Sequence, residues 1–184
     1  MIYGSLCSGI EAATQAWHPL GWKPAFFSEI ENFPSAVLAH HYPDVPNHGD
    51  MTKFQEWPDH AIDLLVGGTP CQSFSVAGLR KGMADPRGNL ALTYLAVADR
   101  YRPHRILWEN VPGVLSVRDN AFGCFLSGLS GEDTPFVPPR GKWTNAGVAL
   151  GPARAVAWRI LDAQYFGLAQ RRRRVFVVAS ARKG

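Results

Sequence analysis

Three groups of residues in this chain are of types that do chemistry. Cys71 stands in the run IDLLVGGTPCQSFS, directly behind a Gly-Gly-Thr-Pro turn. Glu109 follows the strand-like run RILW and opens the run ENVPG. Arg171, Arg172, Arg173 and Arg174 form an unbroken basic block before VFVVA. A thiol presented on a rigid turn is a nucleophile once ionised. A carboxylate at a strand end can hold an amine or stabilise developing charge, and arginines bind anions. Each group also has an ordinary reading. Free cysteines are mostly buried and inert, single glutamates mostly face water, and a charge run is most often a solvated face.

What favours chemistry is the set of elements that must carry these residues. Residues 62–66 have the branching and length of a buried parallel strand, ended by Gly67 and Gly68. Residues 105–108 read as its neighbour, and adjacent parallel strands end on one edge. Open α/β sheets place their ligands beyond that edge, so Cys71 and Glu109 are expected to face one crevice. The polar run 72–90, with Arg80, Lys81 and Arg87, is expected to be a lid that closes over an anionic ligand.

The rest of the chain alternates in the same way. Strands are expected at 2–7 and 24–30, with a short third one ending at Asp50. Helices are expected at 10–17, 33–40, 90–101 and 122–129. Residues 130–152, rich in proline and glycine, read as an irregular excursion or a disordered loop. Two last strands, 156–162 and 175–179, form an antiparallel hairpin that carries the arginine block. The expected class is α/β: a Rossmann-like sheet with helices on both faces and a C-terminal antiparallel hairpin, in one domain.

The first βαβ unit suggests a ligand. Ser8 and Gly9 make its turn, and Glu29 lies about 20 positions on, where an acidic residue meets ribose hydroxyls in nucleotide-binding units. One glycine stands where a dinucleotide motif has three, which points to an adenosine-type ligand without a pyrophosphate and away from a nicotinamide dehydrogenase. Asp50 is placed to accept from an adenine amino group.

Composition sets the outer bounds. The chain has 184 residues, 46% hydrophobic and 18% charged, with a net charge of +4. That describes a soluble globular domain, weakly biased toward a polyanionic partner. No apolar run approaches the ~20 residues of a membrane span, and residues 1–9 do not read as a signal peptide. Three widely spaced cysteines argue for reduced thiols in a cytoplasm, against a disulfide framework, and against a metal site.

In order and spacing these landmarks resemble the cytosine-C5 DNA methyltransferases over nearly the whole chain. GGTPCQSFS is similar to that family's nucleophile motif, PRGNL to the segment after its catalytic loop, ENVPG to its glutamate motif and QRRRRVFVV to its basic motif. SLCSGIEAA and SEIE resemble its S-adenosylmethionine pocket. The resemblance implies that Cys71 attacks C6 of a flipped-out cytosine. Glu109 then holds N3 and the exocyclic amine, and Arg174, with Arg172, serves the O2 side of the base. It also implies that Ser8, Gly9, Glu29, Ile30, Asp50, Met51 and Pro70 bind the cofactor. Gln72, Ser73, Arg80, Lys81, Arg87, Arg171 and Arg173 would contact double-stranded DNA. Period-two alternation is expected to put Arg172 and Arg174 on one strand face and Arg171 and Arg173 on the other.

Some positions depart from the family's pattern. Its adenine-stacking aromatic falls on Cys7, its next glycines fall on Glu11 and Ala12, and Arg173 stands where a glutamate is common. Phe27 or Ile30 could supply apolar cover instead. The family's variable target-recognition region and final helix have no counterpart before Gly184. A catalytic lobe, alone or with a separate recognition chain, is therefore weighed against a non-catalytic remnant that binds cofactor or DNA. RNA methylation is disfavoured, since a second cysteine would be expected where Glu109 stands. The target sequence, and a role in restriction-modification or in phage self-protection, are not legible.

Overall fold

The computed structural model describes residues 1–70, 90–117 and 120–182. Its frame is one seven-stranded sheet, in the order β2-β1-β3-β4-β7-β6-β5. Strands β1 (Ile2–Leu6), β2 (Lys23–Ser28), β3 (Leu64–Gly67) and β4 (Arg105–Asn110) are parallel. β7 (Arg173–Ala181), β6 (Arg154–Asp162) and β5 (Ala146–Leu150) continue the sheet in antiparallel fashion. Because β7 runs against β4, its first residues lie at the carboxyl end of the parallel strands. Asn110 pairs with Val175 there.

The helices are α1 (Ala12–Trp17), α2 (Asn32–His41), α3 (Leu90–Tyr101) and α4 (Ala121–Ser130). Alternation along the strands sorts the two faces. Leu6, Leu65, Ile106, Trp108, Val175 and Val177 face α3 and α4, packing on Tyr94, Val97, Phe122, Phe125 and Leu126 in the main core. Tyr3, Leu64 and Val66 make a smaller cluster on the opposite face with Trp17 and Trp22. The buried Tyr94 hydroxyl donates to the Leu107 carbonyl (3.0 Å), which ties α3 to the sheet.

Two expectations need correction. No strand ends at Asp50. Residues 46–48 make only a single bridge to β2 (Phe27 with Asn47), and a 3-10 turn, Met51–Glu56, follows at once. Asp50 caps that turn, its carboxylate accepting from Thr52 N–H at 2.9 Å. Arg100 of α3 donates to the carbonyls of Phe54 and Trp57, so the turn is held by a long-range clamp. Nor is 130–152 irregular throughout, because it contains β5. Trp143 stands edge-on to Phe122 and Trp158, and its indole N–H donates to Asn120 (3.1 Å). Aromatic anchoring outweighs the turn-forming composition.

Candidate active site

β3 ends in two glycines for a steric reason. A Cβ on Gly67 would sit 2.4 Å from the Leu6 carbonyl oxygen, and one on Gly68 would sit 2.9 Å from Glu109 Oε2. The strand ends converge so closely that neither position has room for a side chain. Thr69, buried, is then gripped twice from β4: the Trp108 indole N–H donates to its hydroxyl (3.2 Å) and Asn110 Nδ2 to its carbonyl (2.8 Å). Asn110 Oδ1 in turn accepts from Val111 N–H at 2.9 Å. The turn that leads through Pro70 into Cys71 is therefore fixed by the residue that follows Glu109.

Glu109 and Asn110 lie within β4, two residues longer than expected, and their side chains point to opposite faces of the sheet. Asn110 is buried against Thr69. Glu109, a third exposed, accepts from Arg174 Nε at 2.9 Å. Arg174 also donates to the Arg173 carbonyl (2.8 Å). Carboxylate and guanidinium thus meet at the sheet edge, directly over Gly68.

The other arginines are placed differently. β7 begins at Arg173, so strand alternation does not reach Arg172; its side chain is exposed and its N–H donates to Asp162 (3.1 Å). Arg171 and Arg173 line an open groove of about 700 Å³ together with Arg159, Asp162, Tyr165 and Phe166. Cys71, Gln72, Ser73, Arg80, Lys81 and Arg87, and with them the expected lid, lie outside the described residues.

Across the edge, the turn after β1 is laced to the end of β2. Ser8 N–H donates to the Ser28 carbonyl (3.2 Å), and Ser28 N–H donates to Ser8 Oγ (3.2 Å). Glu29, just past β2, accepts from Gly9 N–H and from Glu31 N–H, both at 2.8 Å. Its backbone is gripped by Asn47, which accepts from Glu29 N–H (2.9 Å) and donates to Glu29 O (3.1 Å). Ile30 beside it is 68% exposed, whereas Phe27 is fully buried against Tyr42 and cannot cover a ligand. Met51 is buried too, with its sulfur accepting from the Cys7 thiol at 3.6 Å. Burial, and then the charge of Glu29, push the Cys7 thiol up to about 11, so it stays protonated.

Thr69, Asn110 and Asn47 were not singled out from sequence. The first two had a signal, since each stands next to a candidate residue inside a motif. Asn47 had none. Among the described residues no group of three or more His, Cys, Asp or Glu could hold a metal ion, and no helix is long and apolar enough to cross a membrane.

The parallel sheet with an antiparallel flank, carrying a laced first turn and a carboxylate at the next strand ends, is a Rossmann-like methyltransferase fold. Solved structures agree. A DNA modification methyltransferase encoded within an Escherichia coli prophage superposes with a TM-score of 0.68 at 19% identity, over 98% of this chain and 47% of that one. The S. pombe Dnmt2 methyltransferase does so with a TM-score of 0.68 at 21% identity, over 100% and 52%.

The family follows from sequence. The profile of the C-5 cytosine-specific DNA methylases matches residues 1–133, and this chain belongs to that family. A type II methyltransferase of Picosynechococcus, M.AquIA, is 34% identical over 96% of this chain and 70% of its own length. A DNA N-6-adenine-methyltransferase of Escherichia phage P1 is 55% identical over 99% of this chain. The chain spans only 29% of that phage protein's length.

Proposed function

We propose that this chain is the catalytic, cofactor-binding lobe of an enzyme that transfers a methyl group from S-adenosylmethionine to C5 of a cytosine in DNA. The observation that carries the reading is the Glu109–Arg174 pair at 2.9 Å, set over Gly68, three residues before Cys71. C5 of cytosine is too weak a nucleophile to take a methyl group unaided. The Cys71 thiolate adds to C6, and Glu109, at N3 and the exocyclic amine, balances the charge this places on the ring. C5 then takes the methyl group, the C5 proton leaves, and Cys71 is expelled as the C5–C6 double bond re-forms. Arg174 orients Glu109 and faces the O2 side of the base. Asn110 and Trp108 hold the turn that delivers the thiol.

The residues at the β1 turn fit the cofactor. Glu29 offers two carboxylate oxygens for ribose hydroxyls, Ile30 offers apolar surface without an internal partner, and the backbone of Ser8 and Gly9 leaves the turn open. When bound, S-adenosylmethionine supplies an electrophilic methyl on a sulfonium. Arg171 and Arg173 meet phosphates.

A second reading comes from the name of the phage P1 relative. Methylation at N6 of adenine acts on an exocyclic nitrogen and needs no thiolate addition. The unmatched bulk of that protein leaves room for the adenine activity outside the shared region. Digestion and mass analysis of methylated duplex separates the two: 5-methylcytosine, lost in Cys71→Ser, supports the proposal. N6-methyladenine made equally by wild type and Cys71→Ser would overturn it.

A further inference from the structure

The connection from β6 to β7 presents aromatic rings to solvent. Tyr165 is 80% exposed and its neighbour Phe166 is 69% exposed. Single apolar residues are ordinary on a protein surface, but an adjacent aromatic pair on a braced turn is not. Asp162 closes the connection at its base, accepting from Gln164 N–H (3.3 Å) and Arg172 N–H (3.1 Å). Ala163 N–H donates to the Arg172 carbonyl (3.1 Å), and Gly167, at a φ of 87°, ends the 3-10 turn Ala163–Phe166. The backbone thus holds both rings outward.

What surrounds the pair points to its ligand. Tyr165 and Phe166 line the open groove of about 700 Å³ together with Arg159, Arg171 and Arg173, all three exposed. Among the described residues that line it, Asp162 is the only acid, and its carboxylate is taken up by its own turn. Guanidinium groups interleaved with aromatic rings suit a ligand that offers both phosphates and π-faces, which is nucleic acid. The groove is also continuous with the edge that holds Glu109. Arg159 pairs with Phe176 and Phe176 with Glu109, so the three stand in one row on one face of the sheet. At about 4.8 Å between strands, Arg159 lies about 10 Å from Glu109. A DNA strand advances about 3.4 Å per nucleotide, so the groove begins within about three nucleotides of a base seated at Glu109.

We propose that Tyr165 and Phe166 are base-contacting residues of the DNA site: they stack on unpaired bases beside the target nucleotide, while Arg159, Arg171 and Arg173 hold the flanking phosphates. The inference rests on the reading of the Glu109–Arg174 edge as a DNA site. Extracting a base costs stacking, and a ring that covers the exposed faces of its neighbours offsets part of that cost.

The test is fluorescence anisotropy of the chain with a labelled single-stranded oligonucleotide over a range of salt. The double variant Tyr165→Ala, Phe166→Ala should bind about tenfold more weakly. Its slope of log affinity against log salt should not change, because no phosphate contact is lost, whereas Arg159→Ala should reduce that slope by about 0.7. Tyr165→Trp with Phe166→Trp should restore the affinity. Unchanged affinity in the alanine variant, or a loss that tryptophan does not restore, would overturn the proposal. So would unchanged DNA binding with a loss of self-association in sedimentation, which would assign the turn to a protein contact. Ring-dependent binding by a chain that makes no 5-methylcytosine would keep this inference and remove the proposed reaction. Methylation and binding untouched by the alanine pair would do the reverse.

Discussion

At the β1 turn, charge is carried by carboxylates and answered by backbone N–H groups and hydroxyls. At the β3–β4–β7 edge it is carried by a carboxylate and a guanidinium from distant parts of the chain. Glu29 and Glu11 are satisfied within the first thirty-one residues, by Gly9, Glu31, Ser5 and Thr14. Glu109 meets its partner only because β7 returns antiparallel beside β4. The first region is a local device, closed within one stretch of chain. The second is a long-range assembly that brings opposite charges to an open edge. The two regions should therefore fail in different ways.

The largest expected effect is at Cys71. A duplex containing 5-fluorocytosine in the recognised site should trap the protein covalently, with any further recognition region supplied. Cys71→Ser should abolish trapping, while Cys7→Ser and Cys124→Ser leave it intact. Trapping that survived Cys71→Ser would transfer the nucleophile's role elsewhere.

Next comes the split within the arginine block. Arg174→Ala leaves Glu109 unpaired and should lower the single-turnover rate by roughly 10²-fold, more than it weakens DNA binding. Arg173→Ala, whose side chain lines the groove, should weaken binding to all sequences alike and reduce the salt slope by about one. Matching losses of rate and binding in both variants would reduce the block to a phosphate-binding surface.

On the cofactor side, Glu29→Ala removes a charged acceptor of two N–H groups. It should reduce S-adenosylmethionine affinity by about 1.5–3 kcal/mol in calorimetry, with little effect on DNA binding. Equal affinities would take Glu29 out of the pocket.

Asn110→Ala should leave the buried Thr69 carbonyl without its donor and cost about 1–3 kcal/mol of stability in urea unfolding. Its turnover should fall further than a stability-matched core variant such as Val177→Ala. Parallel falls would make Asn110 a packing residue only.

The smallest effect concerns pH. His48 and His60 face each other, Nε2 to Nε2 at 2.9 Å, within the rings of Phe26, Trp57 and Tyr101. Both have lowered pKa values: His48 by burial and then by His60, and His60 by burial, with Asp59 raising and Arg100 lowering it. The unfolded chain takes up these protons first, near the ordinary value of about 6.5. Stability is therefore complete above that pH and declines as pH falls below it. His60→Gln should flatten the decline in thermal melts between neutral and mildly acid pH. An unchanged slope would assign it to other groups.

Much of this molecule was legible in its sequence. Hydrophobic runs bounded by glycine and proline located the parallel strands, and α3 matched to the residue, because those signals are local and strong. The resemblance of the motifs put Arg174 beside Glu109, and the two meet at 2.9 Å. Local pattern did not carry three things. The strand expected before Asp50 is a single bridge to β2, followed at once by a turn that Asp50 caps and that Arg100, far along the chain, clamps. β5 lay hidden in a stretch dense in proline and glycine, and only pairing with β6 and the packing of Trp143 make it a strand. Arg172, expected to share a face with Arg174, lies just before β7 begins, so strand alternation does not reach it. Chain composition and spacing thus determined the class of sheet and which residue types stand near its edge. Register and burial, which depend on contacts between distant segments, decided which side chains meet there.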